Sequence, residues 1–430
     1  MKQWKQKRGR GLFAIIFAIV AGIAVLNVPE ACAEGVEWQK AWKIIEAENP
    51  GLKALREAAN SAAAGMKVEA ANQRVTSSLT ATGSKLEGTG ESSSVGVGLK
   101  YSTSLLGRER DILDAERFRF EKTVLGFSDA RLNLYRQAAL AYWSAAAGDA
   151  ALMAAEEELR RREAFLKDAR LKFEQGLVPE LDVIRAESAL AEARHSLTSK
   201  RSLRESFRAM LKGLAGWKEL TPVENVFEDV KLPERVTPPD YEKAVREHPS
   251  VLQQKAEISR MEALLHAAAK GKSPMLSLSA TRNLHTEGSA SMAQPDDEWY
   301  GQATLEIPLT DGNKTKWAVE EARAGVELAK ADLSKARASL METLFTAWED
   351  YMSAKEGYEA ARKRFELIER EREIALLRYK EGLANQLDVL DAQVRYAESQ
   401  AALIESKKEM LVAEATLRAA EGRVLGEEWN

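Results

Sequence analysis

The stretch LKFEQGLVPELDVIRAESALAEA, residues 171–193, returns almost intact as LRYKEGLANQLDVLDAQVRYAES, residues 377–399. The two copies lie 206 residues apart, and the same offset still pairs Gly216 with Gly422 well beyond the quoted stretches. Similarity this extended at one fixed period indicates an internal duplication. The chain is therefore predicted to contain the same structural unit twice.

The first 33 residues differ from the rest of the chain. Five basic residues precede an apolar run over residues 12–28, and the segment ends in the tripeptide ACA at Ala33. This order is typical of a secretory signal peptide cleaved after Ala33. A retained inner-membrane anchor is the alternative, but the run is shorter than the roughly 20 apolar residues of a spanning helix. Lipidation of Cys32 is disfavoured by Pro29 and Glu30.

Loss of this segment makes the mature chain more acidic. It removes five basic residues and one acidic residue, so the formal net charge goes from −4 to −8. It also removes the single cysteine, which excludes disulfides and thiolate metal sites. An acidic chain without a basic stripe does not fit nucleic-acid binding.

No catalytic or cofactor motif is present in the sequence. The histidines have no metal-ligand spacing, and they are His195, His248, His266 and His285. There is neither a phosphate-binding loop nor a nucleophile elbow. The sequence therefore predicts no enzyme activity, no metal and no cofactor.

Four short segments alternate apolar residues with small or polar ones, as half-buried strands do. They are residues 75–85 (VTSSLTATGSK), 92–102 (SSSVGVGLKYS), 274–283 (PMLSLSATRN) and 299–307 (WYGQATLEI). The first two are predicted to form a hairpin, with Val95, Val97 and Leu99 on one face. Trp299 and Tyr300 fit either a membrane-interface aromatic girdle or ordinary strand packing.

Very long helices are predicted where proline is absent. Residues 108–174 and 314–381 contain none, and a helix of this length extends about 100 Å. Each is followed by a turn and a returning helix, predicted over residues 181–214 and 387–420. In the second long helix apolar residues recur by threes and fours from 319 to 368, which indicates a coiled-coil seam. Residues 36–72 are predicted to form two short helices or one kinked helix.

Four amphipathic strands are too few to close a barrel in a bilayer. Membrane barrels begin at about eight strands, and an open sheet edge in lipid leaves backbone groups unpaired. The strands are therefore predicted either to form a soluble sheet or to be pooled among several chains. The signal peptide and the alternation favour pooling.

The duplicated order of hairpin, long helix and returning helix, with the turn [Tyr/Phe]-x-x-Gly-x-x-x-x-Leu-Asp-Val and LEIPLTDG at residues 305–312, resembles the outer-membrane efflux protein (TolC) family. The resemblance covers residues 36–422. It implies a mainly α fold in which internally duplicated long helical hairpins form a trimeric periplasmic α-barrel. It also implies that the four β-strands of each chain join a shared 12-stranded outer-membrane β-barrel.

The predicted organisation has five parts. These are a signal peptide (1–33), a first repeat (34–216), a Pro-rich linker or equatorial segment (217–240), a second repeat (241–422) and a C-terminal tail (423–430). Pro50 aligns with Pro249 at an offset of 199, so the second copy has gained seven residues downstream of that point. Insertions of this kind belong in loops.

Acidic residues at the repeated turn are the candidate functional residues. Asp388 and Asp391 lie one turn apart at the start of a helix, where a negative charge interacts favourably with the helix dipole and stabilises the helix by about 0.3–1 kcal/mol. The same interaction accounts for an acid at Asp182, which also begins a helix. The family resemblance implies a further role, in which these acids line the periplasmic aperture and Tyr379 pairs with Asp182 across neighbouring helices. In three copies Asp388 and Asp391 would form two acidic rings that favour cations.

The two helix tips are candidate docking sites. They are Gly176-Leu177-Val178 and Gly382-Leu383-Ala384, where glycine supplies the left-handed conformation that ends a helix. By resemblance, a periplasmic adaptor (membrane fusion) protein docks there. The family carries a basic residue at the position of Ala384, and Arg185 or Arg378 is the candidate replacement.

The sequence thus predicts a passive homotrimeric channel in the lipid of the outer membrane of a Gram-negative-type cell. An inner-membrane pump of the resistance-nodulation-division or ABC type would supply the energy, and small molecules or proteins would be the exported cargo. The alternative is a pore-free periplasmic coiled-coil adaptor or scaffold. An adaptor is expected to carry one helical hairpin, whereas this chain has two hairpins and four amphipathic strands.

Overall fold

The computed structural model describes residues 36–86, 90–222, 237–287 and 298–424, and within them the chain forms eight helices and four strands. In chain order these are α1 (Trp38–Glu48), α2 (Pro50–Asn72), β1 (Thr76–Leu86), β2 (Gly90–Ser104), α3 (Arg108–Glu174), α4 (Glu180–Leu214), α5 (Tyr241–Glu247), α6 (Pro249–Ala269), β3 (Met275–Glu287), β4 (Trp299–Glu306), α7 (Lys314–Lys380) and α8 (Gln386–Ala420). The predicted signal peptide 1–33, residues 223–236 of the linker and residues 425–430 of the tail lie outside the described residues.

The two copies of the repeat have matching helices. Helices α3 and α7 are 67 residues long, and α4 and α8 are 35 residues long. At ~1.5 Å per residue the longer pair extends about 100 Å. The residue before each long helix is left-handed in both copies, Gly107 with φ 74° and Asn313 with φ 66°. Asparagine is one of the few side chains that tolerate this conformation, so the substitution keeps the same turn.

Residues 36–72 form two helices, which decides between the two predicted alternatives. Helix α1 ends at Glu48, and Pro50 occupies the first turn of α2, where its missing N–H is not needed. The side chain of Asn49 caps α2 by accepting a hydrogen bond from the backbone N–H of Leu52 at 3.1 Å. Helix α2 is longer than predicted, at 23 residues.

The four strands form one antiparallel sheet in the order β1-β2-β3-β4. The central pair, β2 with β3, joins the first copy of the repeat to the second. All four strands connect to helices at the same end of the sheet, namely at Thr76, Ser104, Met275 and Glu306. The predicted strands are confirmed, and β2 and β3 are longer than the alternating pattern indicated.

The hydrophobic core is divided along the long helices. One cluster surrounds the middle of α3, where Tyr135 and Tyr142 pack against Trp42 of α1 and the last turns of α4 and α8. A second cluster surrounds Leu344 and Tyr351 in the middle of α7. A third, small cluster lies between α3 and α4 near their connecting turn. The long helices are therefore anchored at mid-length, and the residues of the predicted coiled-coil seam of α7 are buried or half-buried.

Candidate functional site

The turn between α3 and α4 closes with two backbone hydrogen bonds. The N–H of Gly176 donates to the carbonyl of Phe173 at 2.9 Å, and the N–H of Leu177 donates to the carbonyl of Lys172 at 2.8 Å. With φ 71° at Gly176 this is a Schellman motif, which satisfies the last carbonyls of the helix. The glycine is required for its backbone conformation, because a Cβ at this position would meet open space.

The turn between α7 and α8 repeats this geometry. Gly382 has φ 73°, and the N–H of Leu383 donates to the carbonyl of Arg378 at 2.8 Å. Leu177 and Leu383 are 68% and 69% exposed, whereas their neighbours Val178 and Ala384 are half-buried. Each tip therefore presents one leucine to solvent at the same position of the repeat.

Asp388 is part of the cap of α8. Its backbone N–H donates to the Oδ1 of Asn385 at 2.9 Å, and its Oδ2 accepts from the N–H of Asn385 at 3.2 Å. This reciprocal pair is a capping box, which satisfies two backbone donors at the helix start. The carboxylate is exposed, and in the single chain it is committed to its own backbone.

Asp391 is paired within the same helix. Arg395 bonds to Asp391 through one guanidinium nitrogen and to Glu371 of α7 through the other, the latter at 3.0 Å. The carboxylate of Asp391 raises the pKa of the Arg395 guanidinium. Arg395 thus links α7 to α8 beside the predicted aperture, and no sequence pattern pointed to it.

Asp182 and Tyr379 are not in contact within one chain. Asp182 lies 3.6 Å from Arg185 one turn along α4, and its backbone carbonyl accepts from the Nε2 of Gln386 at 3.0 Å. The Tyr379 ring instead contacts the Nζ of Lys172 at 4.2 Å and the Phe165 ring at 6.2 Å. The two hairpins are therefore linked at this end by the contacts of Tyr379 with α3 and by the hydrogen bond of the buried Gln386, and sequence reasoning missed Gln386.

The register of the sheet separates its side chains into two faces. Directly opposed residues of an antiparallel pair share a face. Leu79 opposes Val97, Leu99 opposes Ala280, and Leu278 opposes Ala303. The apolar residues predicted for each strand therefore lie on a single face, and Leu79, Leu99, Leu278, Trp299 and Leu305 are exposed there.

The opposite face of the sheet is polar. It carries Ser and Thr from all four strands, including Ser102 and Ser277, whose hydroxyls lie 3.1 Å apart. Tyr300 opposes Thr281 on this polar face, whereas Trp299 opposes Arg282 on the apolar face. Trp299 and Tyr300 therefore point to opposite faces and cannot both belong to one aromatic girdle. Only Trp299 of the two lies on the apolar face.

In the described part of the chain, no helix has both the length and the apolar character needed to cross a membrane. Among the same residues, no group of three or more His, Cys, Asp or Glu is placed to hold a metal ion.

These features, an amphipathic sheet at one end of paired helical hairpins about 100 Å long, define an outer-membrane channel fold. The family model described as outer membrane efflux protein matches residues 43–216 and again residues 241–423. The chain therefore belongs to the outer membrane efflux protein family, and the two matches confirm the internal duplication. Members lie in the outer membrane with their helices in the periplasm, as this chain does.

Solved structures show the same fold at low sequence identity. The open state of the MtrE outer membrane channel of Neisseria gonorrhoeae is 19% identical with a TM-score of 0.79, covering 92% of this chain and 93% of that one. The CmeC outer membrane channel of Campylobacter jejuni is 16% identical with a TM-score of 0.75, covering 93% and 94%. A membrane protein of Pseudomonas aeruginosa is 19% identical with a TM-score of 0.77, covering 93% and 97%. No curated protein sequence matches the chain significantly.

Proposed function

We propose that three copies of this chain assemble into an exit duct of a tripartite efflux system. Twelve strands would form one barrel in the outer membrane, and the helical hairpins would continue it as a tunnel through the periplasm. A periplasmic adaptor and an inner-membrane pump of the resistance-nodulation-division or ABC type would open the duct. Small molecules or proteins would pass through it, with energy supplied by the pump.

The four-stranded sheet with two open edges is the observation that carries this proposal. Strands β1 and β4 each have a partner on one side only. One face of the sheet is apolar and the other is rich in Ser and Thr, which is the alternation of a barrel with lipid outside and water inside. In lipid the backbone groups of these open edges need hydrogen-bond partners, and the edge strands of neighbouring copies would supply them.

Exposed apolar side chains on α7 support the same assembly. A monomeric soluble surface rarely carries a long apolar stripe. Helix α7 exposes such residues along its length, namely Leu328, Met341, Phe345, Leu367 and Ile374. A neighbouring copy in a helical tunnel would cover them.

In the assembled trimer we place the aperture at Asp388 and Asp391. Both carboxylates are exposed near the tips, at the end of the chain opposite the sheet. Three copies would bring six carboxylates around one axis, which favours cations. Because like charges repel, a narrow aperture needs counter-charges beside the carboxylates, and Arg395 supplies one next to Asp391. Asp182 and Tyr379 would then contribute through contacts between neighbouring helices.

Single-channel conductance in a planar bilayer tests the channel and its aperture together. The comparison is wild type against Asp388→Asn with Asp391→Asn, because asparagine removes the charge and still offers an oxygen to the N–H of Asn385. We expect a small wild-type conductance, with weaker block by multivalent cations and a larger conductance in the double variant. Glu342→Gln, an exposed change at mid-helix on α7, is the matched control and should leave both properties unchanged.

Two results would contradict the proposal. Equal conductance and equal cation block in wild type and double variant would show that Asp388 and Asp391 do not line the aperture. Absence of any conductance after confirmed insertion would remove the channel itself and favour the pore-free scaffold. Extraction separates these classes independently, because a barrel requires detergent whereas a scaffold is released by salt or alkaline wash.

A further inference from the structure

The outer end of the apolar face carries a cationic and an aromatic side chain. Arg282 of β3 opposes Trp299 of β4, and its guanidinium carbon lies 6.0 Å from the centre of the indole ring. Of the side chains on this face that the structure describes, Arg282 is the one with a permanent charge. Below it the face is occupied by Ala280, Leu278 and Leu276.

A β-bulge brings a third side chain to the same place. The pairing of β2 with β3 shifts between Val95 and Gly96, so that Gly96 opposes Asn283 and Val95 opposes His285. Leu284 is the extra residue of the bulge. In a strand of the same sequence without a bulge, strict alternation would place His285 on the polar face. We define Arg282, His285 and Trp299 as the outer rim site.

The depth of the outer rim site is that of a membrane interface. Trp299 is the first residue of β4, at the end of that strand remote from the helices, and β4 is eight residues long. This is close to the length of a transmembrane strand, about 9–11 residues. An arginine on the lipid face costs about 2–4 kcal/mol at the bilayer midplane but only about 0–1 kcal/mol at the interface. In the proposed barrel, Arg282 therefore lies at the depth of the lipid headgroups.

We infer that the outer rim site binds the phosphate of an anionic lipid headgroup in the outer leaflet. The guanidinium of Arg282 matches two phosphate oxygens with parallel N–H donors. His285 supplies an N–H donor whether its ring is neutral or charged. Trp299 packs at the boundary between headgroup and acyl chains, which is the position that tryptophan favours.

The inference rests on the membrane-embedded sheet of the proposed function. The cationic Arg282 complements an anionic headgroup, and the site is continuous with the apolar face that would contact acyl chains. Both features favour a lipid over a soluble partner. In the proposed trimer, three outer rim sites would surround the barrel.

Native mass spectrometry of the purified full-length protein in detergent tests this site. The probes are phosphatidylglycerol, phosphatidylcholine and inorganic phosphate. Both lipids carry a phosphate, but the cationic choline of phosphatidylcholine would lie near the Arg282 guanidinium. We therefore expect wild type to retain phosphatidylglycerol about tenfold over phosphatidylcholine. Arg282→Gln should reduce this preference to near equality, and Arg282→Lys should keep part of it because lysine retains the charge without the planar donor pair.

Lys100→Gln is the matched control, because Lys100 is an exposed cation on the polar face of the same sheet. It should leave the lipid preference unchanged. Equal retention of both lipids by wild type, or an unchanged preference in Arg282→Gln, would overturn the inference. Retention of inorganic phosphate without lipid preference would also overturn it, since the site would then take a free anion. Conductance of Arg282→Gln in a bilayer distinguishes loss of this site from failure of the channel itself.

Discussion

Asn49 and His248 occupy the same position in the two repeats and make similar hydrogen bonds with different chemistry. Asn49 caps α2 and donates to the carbonyl of Leu214 at 3.0 Å, at the end of the returning helix α4. His248 caps α6 by accepting at Nδ1 from the N–H of Ser250 at 3.2 Å, and it hydrogen-bonds the backbone of Ala419 near the end of α8. The second cap is therefore titratable, and the first is not.

Burial lowers the pKa of His248, and the nearby carboxylate of Asp129, 4.0 Å from Nδ1, opposes this effect only in part. A folded-state pKa below the unfolded value means that the unfolded chain binds the proton more tightly. The stability from His248 is therefore present above its unfolded pKa of about 6.5 and is lost as the pH falls below it. Protonation also removes the acceptor that Nδ1 offers to Ser250.

His248→Asn is accordingly predicted to flatten the decline in stability below about pH 6.5. The substitution installs the residue of the first repeat, so the cap is retained while the titration disappears. The measurement is the free energy of unfolding of the detergent-solubilised protein at pH 7.5 and pH 5.5. The reciprocal change Asn49→His should steepen the decline. Parallel pH profiles for all three proteins would show that His248 does not control acid stability.

Single-residue contacts were the part of the site that the sequence did not predict. The acids at the repeated turn were found because the repeat displays them, yet Gln386 bonds to a carbonyl 204 residues away. Arg395 bonds to Glu371 on the other helix of its own hairpin. Such partners are set by how the helices pack against one another, which leaves no local sequence pattern. The capping box of Asp388 is different, because its partner Asn385 is only three residues away and the motif is visible in the local sequence.

At the scale of elements, the two faces of the sheet are predicted to respond differently to the same added charge. Leu278→Arg places a charge on the apolar face, whereas Ser279→Arg places the same charge on the polar face one residue later. The first change is expected to cost about 2–4 kcal/mol in lipid and to lower insertion into liposomes strongly. The second should leave insertion near wild type, because it faces water. Insertion yield after refolding into liposomes is the measurement, and equal yields would mean that this face does not contact lipid.

The elements themselves were predictable because proline and periodicity act locally. The absence of proline allowed α3 and α7 to be placed within one residue of their observed ends. The bulge at Leu284 was not predicted, since a single extra residue leaves the composition of β3 unchanged. Strand ends were underestimated where Ser and Gly weaken the alternation, as at Gly90.

At the scale of the whole molecule, the two ends of the chain differ in structure. The sheet lies at one end, and the paired helix tips lie about 100 Å away at the other. Each tip exposes one leucine through an identical turn. In the proposed trimer, three copies would present six such leucines in a ring, which the proposed helical adaptor could contact tip to tip.

Leu177→Ser with Leu383→Ser is therefore predicted to abolish adaptor docking without loss of the trimer. Both side chains are exposed, so the stability of the chain should change by no more than about 0.5 kcal/mol. The readout is in-cell cross-linking to the host's membrane fusion protein, normalised to trimer in the outer membrane. Leu309→Ser, an exposed leucine at the opposite end, is the control and should cross-link as wild type does. Undiminished cross-linking in the double variant would exclude these leucines as the contact. Loss of trimer would instead assign them to folding, because a docking residue acts only after the duct has assembled.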